Sequence, residues 1–268
     1  MRAQANGWEE SASAWISELG EHGDYGRRYV LDAPMLERVR ARSFRTALDV
    51  GCGEGRFCRM LRAEGIVPVG VEPTRALREA AIARDPSGAY LAATAETLPF
   101  ANETFDLVVS YLTLIDIEDL EAAIAEMARV LRPSGALVIA NLNSFNTAGD
   151  WHKRDDGSRS FILDEYMVTR AEWVRWRGIK IRNWHRPFRA YMKPLLGSGL
   201  RLTHFDEPLP TGGDPERIRL HRRAPYFHVM EWQKGRCPPD HRVDGGGDHR
   251  KRGAIVRRPL HVTEQARI

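Results

Sequence analysis

Residues 46–141 predict an α/β domain built on a parallel sheet with helices on both faces. Three observations carry this. Short strand-like runs such as Thr46–Val50 and Val67–Val71 are followed within two residues by glycine or proline. Between them lie stretches whose apolar residues recur at helical spacing. The run Ala136–Ala140 is apolar throughout, as in a strand buried on both faces.

Upstream of that region, Trp8, Ala12, Trp15, Ile16 and Leu19 recur at helical spacing until His22-Gly23-Asp24-Tyr25-Gly26 interrupts them. A second helix is expected near Ala33–Arg42, with Met35, Leu36 and Val39 on one side. Residues 1–45 therefore read as a helical cap. It either covers a sheet edge or serves as a flap with Tyr25, Arg27 or Arg28 facing a ligand. Thr46–Val50 is the first strand, Gly55–Glu64 a helix stopped by Gly65, and Val67–Val71 the second strand. Arg75–Arg84 is a helix closed by Asp85-Pro86, and Ala89–Ala93 and Phe105–Ser110 are strands three and four. Glu118–Leu131 is an amphipathic helix with Leu120, Ile124, Met127, Val130 and Leu131 on one face. Ala136–Ala140 is strand five. The alternation stops after Asn141. Residues 142–185 are rich in aromatic and polar side chains and read as an insertion. A helix near Phe188–Leu196 and strands at Leu200–Phe205 and Tyr226–Trp232 follow, joined by a proline- and glycine-rich loop. Pro238-Pro239 and Gly245-Gly246-Gly247 mark residues 236–268 as a disordered tail.

Composition narrows the function classes. The chain has 268 residues, 43% hydrophobic and 28% charged, which suits a globular protein. No apolar run approaches the ~20 residues of a membrane helix. Trp8, Glu9 and Glu10 stand where a signal peptide would have its apolar core, so export is not expected and the cytoplasm is. Cys52, Cys58 and Cys237 form neither a disulfide framework nor a zinc pattern, so no metal is expected. Beyond residue 235, eight cations face four acids, which accounts for the whole net charge of +4. The body is near neutral, so the net charge is a weak argument for nucleic acid.

The chemistry centres on Asp49-Val50-Gly51-Cys52-Gly53-Glu54-Gly55-Arg56. Glycines after a strand allow close backbone approach and positive φ, and the following helix offers free N–H groups. The dinucleotide fingerprint needs another glycine at position 56, where this chain has arginine. Asp49 would repel a pyrophosphate, yet it suits a ligand carrying an ammonium and a sulfonium. Glu72 ends the second strand about 20 residues on, where an acid can accept both ribose hydroxyls.

These residues resemble the class I methyltransferases that depend on S-adenosylmethionine (SAM). ALDVGCGEG is similar to their first motif and VGVEP to their second. TAETLPFANETFDLVVS and EMARVLRPSGALVIAN are similar to the later ones, most closely in the small-molecule branch that includes ubiquinone and menaquinone methyltransferases. The resemblance implies a Rossmann-like, seven-stranded sheet with the last strand, Tyr226–Trp232, antiparallel. It implies SAM as cofactor. Asp49, Gly51, Cys52 and Gly53 then line its methionine end, Glu72 binds the ribose, Ala95 and Glu96 flank the adenine, and Ser110 and Tyr111 lie under the sulfonium. The [ND]PPY-type motif of amine methyltransferases is replaced by Ser110-Tyr111-Leu112-Thr113-Leu114, which favours an oxygen or carbon acceptor over nitrogen. The His-His pair frequent in the branch falls near Ile115-Asp116, where Asp116 reads as a cap of the helix that begins near Glu118.

The acceptor is expected at the carboxyl ends of the strands, beside the 142–185 insertion. Methyl transfer needs alignment and exclusion of water, with a base only for a protonated acceptor. His185 is the first candidate base and Tyr111 is placed beside it as a catalytic residue; His152 is a weaker base candidate, and Arg186 and Tyr191 are candidates to bind an acceptor carboxylate. The span Arg170–Arg201 holds nine cations and one acid among Trp173, Trp176 and Trp184. The main reading is methyl transfer to a small molecule. The alternatives are an RNA methyltransferase using that basic span, a SAM-binding protein without transfer activity, and an NAD-dependent oxidoreductase, which Arg56 disfavours. Oligomeric state is left open.

Overall fold

The computed structural model describes residues 6–235. The expected disordered tail and Cys237 lie outside the described residues. The chain runs α1 (Trp8–Leu19), a π-helical turn at Arg27–Leu31, α2 (Asp32–Arg40), β1 (Thr46–Val50), α3 (Arg56–Ala63), β2 (Val67–Val71), α4 (Arg75–Arg84) and β3 (Ala89–Leu91). It continues through β4 (Phe105–Tyr111), α5 (Leu120–Val130), β5 (Leu131–Leu142), β6 (Gly149–Lys153), β7 (Arg159–Leu163), β8 (Arg170–Trp176) and β9 (Ile179–His185). It closes with α6 (Phe188–Gly197), β10 (Leu200–Asp206), α7 (Pro215–Arg223) and β11 (Phe227–Lys234).

Seven strands form one sheet in the order β10-β11-β5-β4-β1-β2-β3. Strands β3, β2, β1, β4 and β5 are mutually parallel. The last strand, β11, runs antiparallel between β10 and β5. Leu48, Val108, Leu137, Ile139 and Trp232 turn to one face, against α5 and α6. Leu107, Val109, Val138 and Val229 turn to the other, against the 27–31 turn, α2 and α3. Alternate residues of β4 thus feed two different cores, as the two-residue repeat of a strand requires. The ends of β1, β2 and β4 are left free to receive a ligand.

The 142–185 insertion consists of two antiparallel hairpins, β6 with β7 and β8 with β9. Two local expectations are corrected. The loop before β11 contains α7, whose start is set by the Asp214 side chain accepting from Arg217 N at 2.8 Å, with Pro215 in the first turn. The cap of α5 is Asp119, which accepts from Ala122 N at 3.0 Å, and not Asp116. Asp116 lies three residues too early to reach the free N–H groups of that helix.

The N-terminal helix packs on the second hairpin. Ser11 Oγ donates to the Lys180 carbonyl at 3.0 Å, and Arg182 N donates to the Asn6 carbonyl at 2.9 Å. Trp15 meets both Trp8 and Trp176 edge to face, a geometry favoured by the ring quadrupole.

Candidate active site

The glycine turn sits where the sheet opens. Gly51, Gly53 and Gly55 have φ of 70°, 55° and 77°, in the left-handed region where a side chain is strained. At Gly51 a Cβ would also stand 2.2 Å from Thr113 Cγ2, so the turn closes on the loop after β4. At Gly53 nothing lies within 4 Å of that position; the backbone faces open space. Glu72, at the end of β2, locks the turn from the side: one carboxylate oxygen accepts from Gly53 N at 3.0 Å and the other from Thr74 N at 2.9 Å.

Asp49 is the buried charge of the site. Its Oδ2 accepts from the Cys58 thiol at 3.4 Å, and its Oδ1 has no partner. Burial pushes its carboxyl up to about 7, opposed by the Cys58 hydrogen bond and aided by Glu72 and Glu54. Burial raises Glu72 too, against its backbone donors and Arg78. A pocket with an orphaned carboxylate oxygen, a second carboxylate at the next strand end and open glycine backbone fits a cationic amino-acid head and a ribose. It fits a pyrophosphate poorly. The residues present therefore suit SAM.

This turn is one end of a cavity of about 1000 Å³. Asp49, Gly51, Cys52, Gly53, Glu72, Ala95 and Glu96 all line it. From there it runs past Tyr111 and Asp116 to the β8–β9 hairpin, with Trp8, Trp15 and Arg27 from the N-terminal segment.

Ser110 is corrected: it is fully buried in the sheet and is not part of the cavity wall. It shares the face of Val108, whereas Tyr111 and the loop after it reach the cavity. Tyr111 lines the cavity with its ring, but its hydroxyl donates to Asp32 Oδ1 at 2.8 Å. Burial and Asp32 hold the phenol well above its ordinary range, so it keeps its proton. Its role as a proton-transfer residue is therefore corrected to that of a wall. Asp32 also binds Arg56, whose other contact is the His22 carbonyl at 2.8 Å. The residue that replaces the dinucleotide glycine thus ties the turn to the N-terminal segment.

His185, the first candidate base, lines the cavity, with both ring nitrogens engaged. Its Nε2–H donates to the Tyr166 carbonyl at 2.8 Å, and Nδ1 lies 2.6 Å from Thr147 Oγ1. Both ring nitrogens are committed to holding the hairpins together. His152 is not among the cavity-lining residues. Arg186 is buried and donates to the carbonyls of Leu114, Ile117 and Glu118, so it clamps the loop after β4 instead of binding a carboxylate. Tyr191 is buried in the α5–α6 core. Of the flap candidates, Arg27 reaches the cavity, while Tyr25 donates to the Gly212 carbonyl at 3.3 Å and Arg28 stacks on Tyr29.

The residue that sequence reasoning missed is Asp116. The carboxylate accepts from Asn183 Nδ2 at 2.5 Å, and it lines the cavity together with Trp8. Burial pushes it up to about 8; Trp8, Asn183 and Arg27 oppose the rise, and Glu72 adds to it. Its acidic side chain within the apolar Ile115–Ile117 was the available signal. The basic 170–201 span is largely occupied internally: Arg182 pairs with Glu118 at 2.7 Å, Arg186 is buried, and Lys180 lies over Trp173.

Fold and site together define a class I SAM-dependent methyltransferase, and the chain belongs to that family. It is an enzyme whose cofactor is SAM. The family model for the methyltransferase domain matches residues 48–139. The malonyl-[acyl-carrier protein] O-methyltransferase of Enterobacter lignolyticus is 33% identical over 234 residues, covering 84% of this chain and 90% of that relative. The ubiquinone biosynthesis O-methyltransferase of Mesorhizobium japonicum is 31% identical over 100 residues, 36% of this chain and 40% of its own length. Among solved structures, an S-adenosylmethionine dependent methyltransferase from Mesorhizobium loti superposes with a TM-score of 0.69 at 23% identity, over 80% of this chain and all of that one.

Proposed function

We propose that this enzyme transfers the methyl group of SAM to an oxygen of a small-molecule acceptor bound between the loop after β4 and the β8–β9 hairpin. The observation that carries this reading is the continuity of a single cavity from the glycine turn to that hairpin. Two relatives named for O-methylation support oxygen over carbon. When bound, SAM would supply a methyl activated on a sulfonium for in-line transfer to the acceptor, with the thioether as leaving group.

Asp49, Gly51, Cys52 and Gly53 are assigned to the methionine end, with the unpartnered Asp49 oxygen toward the ammonium. Glu72 is assigned to the ribose, and Ala95 and Glu96 to the adenine. Residues 6–45 act as the cap, 46–235 as the catalytic domain, and 142–185 as the acceptor wall. Trp8, Trp15 and Trp176 exclude water from the acceptor end, which strengthens every charge interaction inside. No helix among the described residues is long and apolar enough to cross a membrane. Cys52 and Cys58 are free, buried thiols, which suits a reducing cytoplasm. Nucleic acid is not assigned as a partner.

The test is calorimetry with S-adenosylhomocysteine, followed by transfer of labelled methyl from SAM to small acceptors. Tight binding and labelled methyl ether or ester products are expected. Binding of NAD in place of S-adenosylhomocysteine, or labelling of RNA but of no small molecule, overturns the reading.

A further inference from the structure

Three segments far apart in sequence converge on one carboxylate. Asp116 comes from the loop after β4, Trp8 from α1 and Asn183 from β9; Asn183 donates to the Asp116 carboxylate at 2.5 Å and the Trp8 indole favours its charged form. The junction is held from behind. Asp116 N donates to the Thr113 carbonyl at 2.9 Å, Trp184 N to the Ile115 carbonyl at 2.7 Å, and Arg186 binds the Ile117 carbonyl at 2.7 Å. A carboxylate so fixed on a cavity wall is oriented by its neighbours and has lone pairs to spare.

The surroundings decide which acceptors suit it. Asp24, Asp49, Glu72, Glu96, Asp116, Asp150 and Glu172 line the same cavity. Of the cavity arginines, Arg27 is paired with Asp24 at 2.7 Å, Arg56 with Asp32, Arg170 with Glu172 and Arg182 with Glu118. An acceptor carboxylate would enter an acidic chamber whose cations are engaged. A neutral hydroxyl would find an acceptor for its proton.

We propose that Asp116 takes the proton of a neutral, hydroxyl-bearing acceptor, held in place by Asn183 and Trp8 as positioning residues. This rests on the O-methyl-transfer reading above and names the substrate class within it. The oxygen–hydrogen bond breaks and its proton passes to the Asp116 carboxylate. The oxygen gains the methyl carbon, and the carbon–sulfur bond breaks with its electron pair left on sulfur. The charged groups facing Asp116 are Glu72, which raises its carboxyl, and Arg27, which lowers it. Arg182 and Glu118 line the same cavity as an ion pair. The substrate class differs from the malonyl group in the name of the Enterobacter relative, whose free carboxyl is ionised at neutral pH and needs no base.

The experiment uses the full chain and its D116N variant with phenol, the more acidic 4-nitrophenol, and a malonyl thioester. S-adenosylhomocysteine binding is measured first; its absence in wild type defeats the O-methyl-transfer reading itself and leaves nothing for Asp116 to serve. With binding intact, wild type is expected to methylate both phenols in preference to the malonyl thioester. D116N should lower kcat for phenol by about 10²–10⁴-fold, the usual worth of a general base, and lower it far less for 4-nitrophenol, which ionises unaided. Cofactor affinity should stay within about twofold of wild type, since a base makes its interaction in the transition state. A readout free of turnover is the nitrophenolate absorbance on binding to the S-adenosylhomocysteine complex. Wild type should raise it, because the proton of the bound nitrophenol passes to Asp116, and D116N, which has no group to take that proton, should lack the increase. Should D116N fail to fold, W8F and N183A each remove a polar group that holds the Asp116 carboxyl down, and the acid limb of the pH–rate profile should move upward. Equal kcat losses for the two phenols overturn the proposal. So do an unchanged absorbance, an unmoved pH limb, preference for the malonyl thioester, and no phenol methylation by a protein that binds S-adenosylhomocysteine.

Discussion

Asp49 makes cofactor binding a pH-linked event. Its carboxyl is raised from 3.8 to about 7, because burial disfavours the anion. Holding this charge therefore costs on the order of 4 kcal/mol more in the folded chain than in the unfolded one. An acid raised in this way makes the ligand-free fold lose stability as pH rises from the unfolded value of 3.8 to about 7. The cofactor's ammonium favours the ionised form, so binding releases a proton below pH about 7, and affinity should fall up to tenfold per unit of further acidification. D49N keeps the shape and removes the charge. It should bind S-adenosylhomocysteine more weakly at pH about 8 and lose that slope, while its ligand-free fold gains stability at neutral pH and converges on wild type near pH about 4. Calorimetric titrations across that range, with melting curves beside them, measure both. E72Q run in parallel separates the second raised carboxyl. A wild-type affinity that is flat between pH about 5.5 and about 7, or a D49N variant that keeps the slope, refutes the assignment.

E72A removes the acceptor of two backbone N–H groups, each bond to a charged group being worth about 1.5–3 kcal/mol; calorimetry should show at least a tenfold loss of cofactor affinity. G51A drives a methyl against Thr113, 2.2 Å away, and should lower the melting temperature and abolish binding together. G53A meets open space, so its stability loss should be limited to the ~1–2 kcal/mol of left-handed backbone while binding still suffers. H185A strips the donor from the Tyr166 carbonyl and should destabilise the fold by about 1–3 kcal/mol in denaturant melts, with turnover per folded molecule and its pH profile near wild type.

The methyl-donor half of the site was legible because its signals are local. A buried strand, three glycines and an acid at the next strand end are contiguous or nearly so, and Asp49, Gly51, Gly53 and Glu72 all line the cavity. The acceptor half was less legible because it is assembled from distant segments. Even there local signals existed. Arg177-Gly178 takes φ of 42° and 83° as the turn of the β8–β9 hairpin, and Ile179 and Ile181 alternate inward after it. Asp214-Pro215 is a helix-start pair that the surrounding prolines and glycines masked. Asp116 could not be placed from sequence, since spacing allowed it to cap α5, and only the arrival of Trp8 and Asn183 from elsewhere gives its carboxylate another task. The same holds for His185, whose position before α6 revealed nothing of Thr147 or Tyr166.

The antiparallel β11, wedged between β5 and β10, has a consequence for synthesis on the ribosome. Until β11 emerges, β5 is an open sheet edge, and Leu137, Val138, Ile139 and Ala140, fully buried in the finished fold, lie along it. Ninety-two residues separate the end of β5 at Leu142 from the end of β11 at Lys234. At about 5–20 residues per second that interval is roughly 5–20 s. Throughout it the nascent chain presents an unpaired apolar edge of the kind that recruits foreign strands. Slower translation of this stretch, or loss of a chaperone that shields it, should therefore reduce soluble yield without altering the stability of the molecules that do fold.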